Sequence, residues 1–393
     1  MRDRDFRLLW FGQTASQLGE HTTAAVLPLI AVLALNATPA DVGLLRAFGQ
    51  APFLLLALFA GAWVDRWRTR DVMVAADLTR AVALTVAAVA GLALPGLFVV
   101  ALVVGGMSVL FDIAYQASIP RLLRRDQLIT ANSALEGTRS AAQLGGPALG
   151  GALVSLLPAA AAIGSGALFF ATSFLSIRAL RADDPEHRSR TRIRDGLRFV
   201  AGQPVLRAVG LASAAFQFSF AGFMTAFLVF LPRDLGLSAG AIGLVLAATG
   251  PGALVGSLLA ARLPGLLGYG VTVVGAALIG DGVALVVPAL HGSPAWTFPL
   301  LLAVMVIFGA GGQLVNVTVM AIRQAVTPAA MQGRVAATIT FAGMGTQPLG
   351  SLAGGLLAGA SSPRTTLVAA AAAMLLSPLV LALSPVRRWS DQA

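Results

Sequence analysis

A carboxylate, Glu20, stands in the middle of the chain's first long apolar stretch, and an arginine, Arg46, stands inside the second. At the centre of a membrane-spanning helix a charge costs about 2.5–3.5 kcal/mol on insertion scales, so it persists only where it is paired, hydrated or used. At about 1.5 Å of rise per helical residue, Glu20 lies roughly 18 Å into its run. Arg46 lies one to two turns into the next run from the opposite side, so the two can meet at similar depth. A carboxylate that changes partner as it gains and loses a proton meets the physical requirement for a proton carrier; a permanent ion pair is the alternative. Glu20, Arg46 and Asp281 are therefore the candidates for proton coupling. Two more charged pairs, Asp77 with Arg80 and Glu136 with Arg139, are spaced to meet along one helix face. Their runs place them near one membrane surface, where a gate or packing role is expected.

Other chemistries lack their residues. There are no cysteines, which excludes disulfides and thiolate metal sites. The histidines His21, His187 and His291 are too scattered to suggest a metal centre. All 27 basic residues are arginine, so a phosphate-binding loop with its lysine is impossible. No nucleophile, histidine and carboxylate cluster together as an enzyme requires. No cofactor is expected, and any uphill work must draw on a gradient unless another subunit hydrolyses ATP.

The elements that hold these charges are legible from composition. Of 393 residues, 57% are hydrophobic and 11% charged, against about a quarter charged in soluble domains. Apolar runs of about 20 residues, the length that crosses a bilayer core of roughly 30 Å, lie near 9–35, 43–64, 72–93, 97–119, 134–157 and 159–180. They resume near 206–231, 239–261, 270–290, 296–320, 335–359 and 365–384. The expected fold is an all-α membrane protein with twelve transmembrane helices in two six-helix bundles, residues 1–180 and 205–393, joined by a linker at 181–204. Residues 134–180 are too long for one crossing, and Pro158 supplies the turn that divides them. The first run follows Arg2, Arg4 and Arg7 as a signal peptide would, but its length, Glu20 and the eleven later spans mark a retained helix.

Arginine placement orients the spans. With the amino terminus in the cytoplasm, arginines from Arg2 to Arg388 gather on that side, while Arg233 and Arg364 fall outside. Both termini are then cytoplasmic, in an inner (plasma) membrane. The +10 net charge answers anionic lipid and not nucleic acid. Trp10, Trp63, Trp67, Trp296 and Trp389 fall at span ends, where indole rings anchor. In the linker, Ile193, Leu197 and Val200 are spaced as on a short helix lying along the membrane surface.

The two halves repeat. Val42-Gly43-Leu44 with Pro52 returns as Ile242-Gly243-Leu244 with Pro251, about 200 residues later. Gly146-Pro147-Ala148-Leu149-Gly150-Gly151 has an echo in Gln347-Pro348-Leu349-Gly350-Ser351. Such duplication suits two bundles that rock around a site at the membrane midplane.

Gly61, Asp65, Arg66 and Arg70 resemble the loop between the second and third helices of the major facilitator superfamily, although Arg68 and Thr69 stand where its pattern has glycine and arginine. The resemblance implies a cytoplasmic gate, with Asp112 of the fourth span and Arg334 of the eleventh as counterparts. The alternative is that these are solvated loop charges. Ala142, Gly146, Pro147, Gly150 and Gly151 are similar to the fifth-helix motif of drug and proton antiporters, with Ala142 where the family often has glycine. Arg7-Leu8-Leu9-Trp10, Gly12-Gln13, Ala76-Asp77-Leu78-Thr79-Arg80-Ala81 and Ala131-Asn132-Ser133 look like the branch that includes the enterobactin exporter and macrolide efflux proteins. That branch implies export of siderophores, antibiotics or other secondary metabolites, driven by proton entry.

Phe216, Phe220, Phe223, Phe227 and Phe230 fall on one face of the seventh span, and Gln217, Gln313, Asn316 and Gln347 add amides in the second half. Of these, Phe216, Gln217, Phe220, Phe223, Gln313, Asn316 and Gln347 are expected to line a cavity for a bulky, partly apolar substrate; a lipid-facing stripe is the alternative. The expected function is secondary active export of such molecules by proton antiport, by a monomer whose partners are substrate, protons and the bilayer. Proton-coupled uptake and a transport-inactive membrane sensor are the competing readings.

Overall fold

The computed structural model describes residues 4–64, 67–91, 93–122, 128–180, 193–292, 295–328 and 331–388, so Asp65, Arg66, Ser189 and Ser293 lie outside the described residues. The fold is all helical. In chain order the helices are α1 Arg4–Leu33, α2 Pro39–Val64, α3 Thr69–Ala90, α4 Leu94–Leu122, α5 Leu128–Leu156, α6 Ala159–Arg178, α7 Ile193–Gly202 and α8 Pro204–Arg233. They continue with α9 Ala239–Ala247, α10 Thr249–Ala260, α11 Leu263–Leu267, α12 Tyr269–Val283, a 3-10 segment Ala284–Ala289 and α13 Thr297–Val326. The last are α14 Gln332–Met344, α15 Gln347–Ala360, α16 Pro363–Met374, α17 Leu376–Leu383 and a 3-10 turn Pro385–Arg388.

Every apolar run of the sequence is helical. Among the described residues, eight stretches are long and apolar enough to cross a membrane: Thr69–Ala90, Leu94–Ile119, Ala159–Arg178, Pro204–Arg233, Ala239–Ala260, Tyr269–Ala289, Thr297–Val326 and Pro363–Leu383. The other four runs coincide with α1, α2, α5 and α14 with α15.

Proline decides where the second-half helices break. Its missing N–H leaves the carbonyl four residues earlier unpaired, and its ring crowds that carbonyl. Counting back from Pro251, Pro348 and Pro378 gives Ala247, Met344 and Met374, the final residues of α9, α14 and α16. Counting back from Pro288 gives Ala284, where α12 gives way to 3-10 geometry. Pro28, Pro52 and Pro147 in the first half sit inside uninterrupted α1, α2 and α5.

Helix α3 shows what solvent the fold is built for. Asp77 and Arg80 are fully buried on one face, while Val82, Val86 and Val89 stand out on another. Charge inside and apolar residues outside invert the pattern of a soluble helix, as lipid requires.

The chain forms two compact units. Unit 1 holds Met1–Ala37, Phe48–Arg190 and Ser238–Ala247; unit 2 holds Thr38–Ala47, Thr191–Leu237 and Ala248–Ala393. This differs from a single cut at the linker, because Thr38–Ala47 and Ser238–Ala247 each group with the other half's helices. Glycine is the cause. Within unit 1, a Cβ on Gly151 would stand 2.7 Å from Gly243 Cα; within unit 2, one on Gly43 would stand 2.7 Å from Gly355 Cα. Small residues let these backbones touch. The repeat seen in the sequence thus reappears as two equivalent contacts, Gly43 with Gly355 and Gly243 with Gly151. Each unit also has its own apolar core, one around Phe6, Met73, Phe111 and Ile177, the other around Leu206, Val273, Ile322 and Val335.

Candidate functional site

Unit 1 gathers its charge around one side chain. Gln13, Ser16, Gln17 and Glu20 recur at steps of three and four on α1, which puts them on one face. Gly12 and Gly19 bring that helix close to Ile177 and Phe169 of α6. Arg80 of α3 reaches into the space so formed and is wholly buried. Its guanidinium donates to Asp77 Oδ1, to Ser16 Oγ at 3.0 Å and to Ser108 Oγ at 3.1 Å. It lies over the rings of Phe111 and Phe170, 4.7 and 4.3 Å from their centroids. Glu20 completes the cluster with an ion pair to Arg80 Nη1 at 3.8 Å.

That pairing corrects the expectation for Glu20. Within unit 1 its cation is Arg80; Arg46 lies in the Thr38–Ala47 segment of unit 2, and no hydrogen bond to its buried Nε is seen among the described residues. Asp77 and Arg80 do pair along α3, midway along a helix that starts at Thr69, and they belong with Glu20. Among the described residues the cluster is incompletely satisfied: Glu20 Oε2, Asp77 Oδ2 and Arg80 Nε are buried and no hydrogen-bond partner is seen for them. Unmet groups of this kind mark a site with capacity to take up a proton, a water or a ligand.

Beside the cluster, one turn along α1 from Glu20, a cavity of about 300 Å³ opens within unit 1, lined by Gln13, Gln17, Asp112, Tyr115, Glu136 and Arg139 among others. Gln17 Nε2 donates to Asp112 at 3.3 Å. Arg139 is matched by Glu136 at 3.1 Å. Among the described residues, no ion pair to Asp112 is seen, and Gln13, fully buried, has neither amide atom hydrogen-bonded. The volume falls at the lower edge of ordinary ligand pockets. Asp112, expected at a gate, lines this cavity instead.

The expected gate is only partly described. Gly61 lies in α2, while Asp65 and Arg66 lie outside the described residues. Arg70 donates to the carbonyl of Arg178 at the end of α6, a C-terminal capping contact. Arg334 lies in the first turn of α14, and its Nη1 donates to Met331 Sδ. In α5, Ala142 is buried, Gly146 packs on His21, Gly150 on Thr22 and Ala25, and Gly151 on α9, with Pro147 among them.

In unit 2 the phenylalanines fill the space they were expected to line. Phe216, Phe220 and Phe308 stack with centroids 5.5–6.4 Å apart, and Phe223, Phe227 and Phe230 are buried in helix packing. The void among Phe220, Phe223 and Phe308 holds about 10 Å³, room for a water at most. Gln217, Gln313 and Gln347 are half-buried and Asn316 is exposed. Asp281 is buried in α12, and no hydrogen bond or ion pair to its side chain is seen among the described residues. The polar stripe Gln13, Gln17, Glu20 at steps of four and three is the sequence signal for the unit 1 cavity, and its uncharged glutamines are absent from any list of intramembrane charges.

Known proteins agree with this architecture. The multidrug efflux pump Tap of Mycobacterium tuberculosis (strain ATCC 25618 / H37Rv) is 25% identical over 426 residues, covering 98% of this chain and 94% of Tap. A bacterial homolog of the human lysosomal transporter Spinster, solved inward-facing and unoccupied, superposes over 100% of both chains with a TM-score of 0.78 at 14% identity. A bacterial homologue of the iron transporter ferroportin, solved inward-facing, matches 97% of this chain and 98% of its own with a TM-score of 0.77 at 18% identity. The family described as transmembrane secretion effector matches residues 1–393. The chain is a membrane transporter and not an enzyme, and it belongs to the transmembrane secretion effector family of the major facilitator superfamily.

Proposed function

We propose that the protein exports a small molecule from the cell by proton antiport, crossing the inner membrane twelve times in two six-helix bundles with both termini in the cytoplasm. The observation that carries this reading is the juxtaposition of Glu20, loosely paired to a buried Arg80, with a ligand-sized cavity one helical turn away. Proton and substrate then compete through shared neighbours: Gln17 of the cavity precedes Glu20 by about one turn of α1 and donates to Asp112. Asp112 and the unpaired amide of Gln13 would hold the polar, donor-bearing end of the substrate, and the rest of the molecule is partly apolar. Asp281 is a second proton-carrier candidate, since a buried carboxylate without a partner in an apolar helix is costly when charged. The similarity to Tap, a multidrug efflux pump, supports efflux as the direction.

The test is substrate-linked proton movement in proteoliposomes that enclose a pH dye, using compounds to which a deletion strain becomes sensitive. Adding such a compound is expected to move protons opposite to it. Asp112→Asn is expected to weaken its binding roughly 10- to 100-fold, the worth of about 1.5–3 kcal/mol for a charge-assisted hydrogen bond. Accumulation together with protons would mark uptake instead, and binding without movement a sensor.

The orientation has its own check, made simple by the absence of cysteine. Single cysteines at Ser189 and Ser293 are expected to label from the cytoplasm and from outside, respectively. Labelling of both from one side overturns the twelve-span topology.

A further inference from the structure

At the end of unit 2 that the arginine pattern assigns to the outside, Arg364 of α16 makes three contacts with the segment following α12. Its guanidinium donates to the carbonyls of Pro288 at 2.7 Å and Leu290 at 2.9 Å, and Nη1 also lies 2.7 Å from Nε2 of His291. The same guanidinium rests on the ring of Phe230 in α8, 5.3 Å from its centroid. The other imidazole nitrogen, Nδ1, is 2.7 Å from the carbonyl of Ala289.

These contacts fix the state of the ring. A carbonyl only accepts, so Nδ1 carries the hydrogen; an arginine only donates, so Nε2 offers its lone pair. This network therefore exists only with neutral His291. A proton arriving at Nε2 takes that lone pair, the Arg364 N–H loses its acceptor, and two cationic donors then face each other. The Nδ1–H bond to Ala289 is unaffected. Histidine is the side chain whose charge ordinarily changes between about pH 5 and 8.

We propose that His291 and Arg364 form a proton-binding site facing the outer solution, at which protonation removes one of the three Arg364 contacts and loosens the tie between α16 and the segment from Ala284 to His291. The segment is suited to respond, since it is a short 3-10 continuation of α12, created by Pro288 and short of regular α-helical bonds. Asp281 lies on the same continuous stretch, three residues before the 3-10 segment begins. Among the described residues, the other charged groups of unit 2 at the end assigned to the outside are Arg233 and Asp234 at the close of α8 and Asp41 in the first turn of α2; the segment itself carries none, and neither does the first turn of α13. A proton-driven exporter meets acid on this face, so the site reports the presence of the driving ion before it reaches the membrane interior.

The chain has three histidines, which makes the test direct. Full-length protein labelled with ¹⁵N-histidine is placed in lipid nanodiscs and followed by NMR between pH 8 and 5, with His291→Gln identifying the His291 signals. The expected result is an Nδ1–H tautomer at high pH that becomes imidazolium on acidification. Hydrogen exchange of peptides covering Ala284–His291, corrected for intrinsic pH dependence, is expected to accelerate over the same range. His291→Gln, whose amide oxygen can still accept from Arg364, is expected to stay protected at both extremes. Arg364→Gln is expected to exchange fast at both. An Nε2–H tautomer at pH 8, pH-independent exchange in the unaltered protein, or exchange in His291→Gln that still follows pH each overturns the proposal. None of these readouts requires transport, so they are independent of the export mechanism.

Discussion

Arg80→Met should be the most damaging single substitution in unit 1. Methionine fits the volume of the arginine stem, but it leaves Asp77 buried with no cation and withdraws the donors to Ser16 and Ser108. Removing one member of a buried ion pair costs about 3–5 kcal/mol, because the remaining charge is uncompensated. The expected outcome is a large fall in the detergent-solubilised melting temperature and no transport. Pairing it with Asp77→Leu removes both charges and should restore most of the stability, since replacing a buried pair with apolar side chains is often neutral. Transport should not return, because Glu20 still lacks its cation. Full activity in the double variant would reduce the cluster to a packing device. Arg80→Lys is not a conservative control: an ammonium cannot reach Asp77, Ser16 and Ser108 at once or stack between Phe111 and Phe170.

How far the sequence foretold this site depends on the kind of signal. Apolar length is additive along the chain, and each of its runs falls on helix, even at the division at Pro158 before α6, whereas the short α11 Leu263–Leu267 lies in none of them. Proline positions were visible too, yet Pro147 leaves α5 continuous while Pro348 separates α14 from α15. The local rule is the same for both, and glycine packing does not separate them: Gly146 and Gly150 press α5 onto α1, and Gly350 presses α15 onto α8. Charge partners were the least legible feature. Depth along a helix is a one-dimensional estimate, and it matches Glu20 with Arg46 because the two lie at similar depth when counted from opposite sides. Which arginine faces which carboxylate depends on helix rotation and on the close approach of α1 to α6 at Gly12 and Gly19, which a count of residues does not contain. The phenylalanines of α8 failed for a related reason. A stripe of rings reads the same whether it faces a ligand or another ring, and here Phe308 on α13 occupies the place a ligand was expected to take.

Glu20→Gln separates binding from coupling. The amide keeps the size of the side chain and can donate a hydrogen bond or accept one from Arg80, so the fold and the cavity lined by Gln17 and Asp112 should survive. What is lost is exchangeable charge. In the unaltered protein the carboxylate meets Arg80 at 3.8 Å with Oε2 unbonded, a contact loose enough to be surrendered when a proton arrives. An amide has no proton to exchange as access alternates, so the gradient loses its grip on the cycle. The expected result in everted vesicles is loss of proton-driven accumulation with substrate binding within about threefold of the unaltered protein, a change under 1 kcal/mol. Exchange of substrate down its own gradient should continue. The parallel change Asp281→Asn distinguishes one carrier from two, since loss of accumulation there as well would require both carboxylates. If Glu20→Gln concentrates substrate at the original rate and with the original dependence on pH, the proton travels by Asp281 or Asp112, and the Glu20–Arg80 contact is a structural pair.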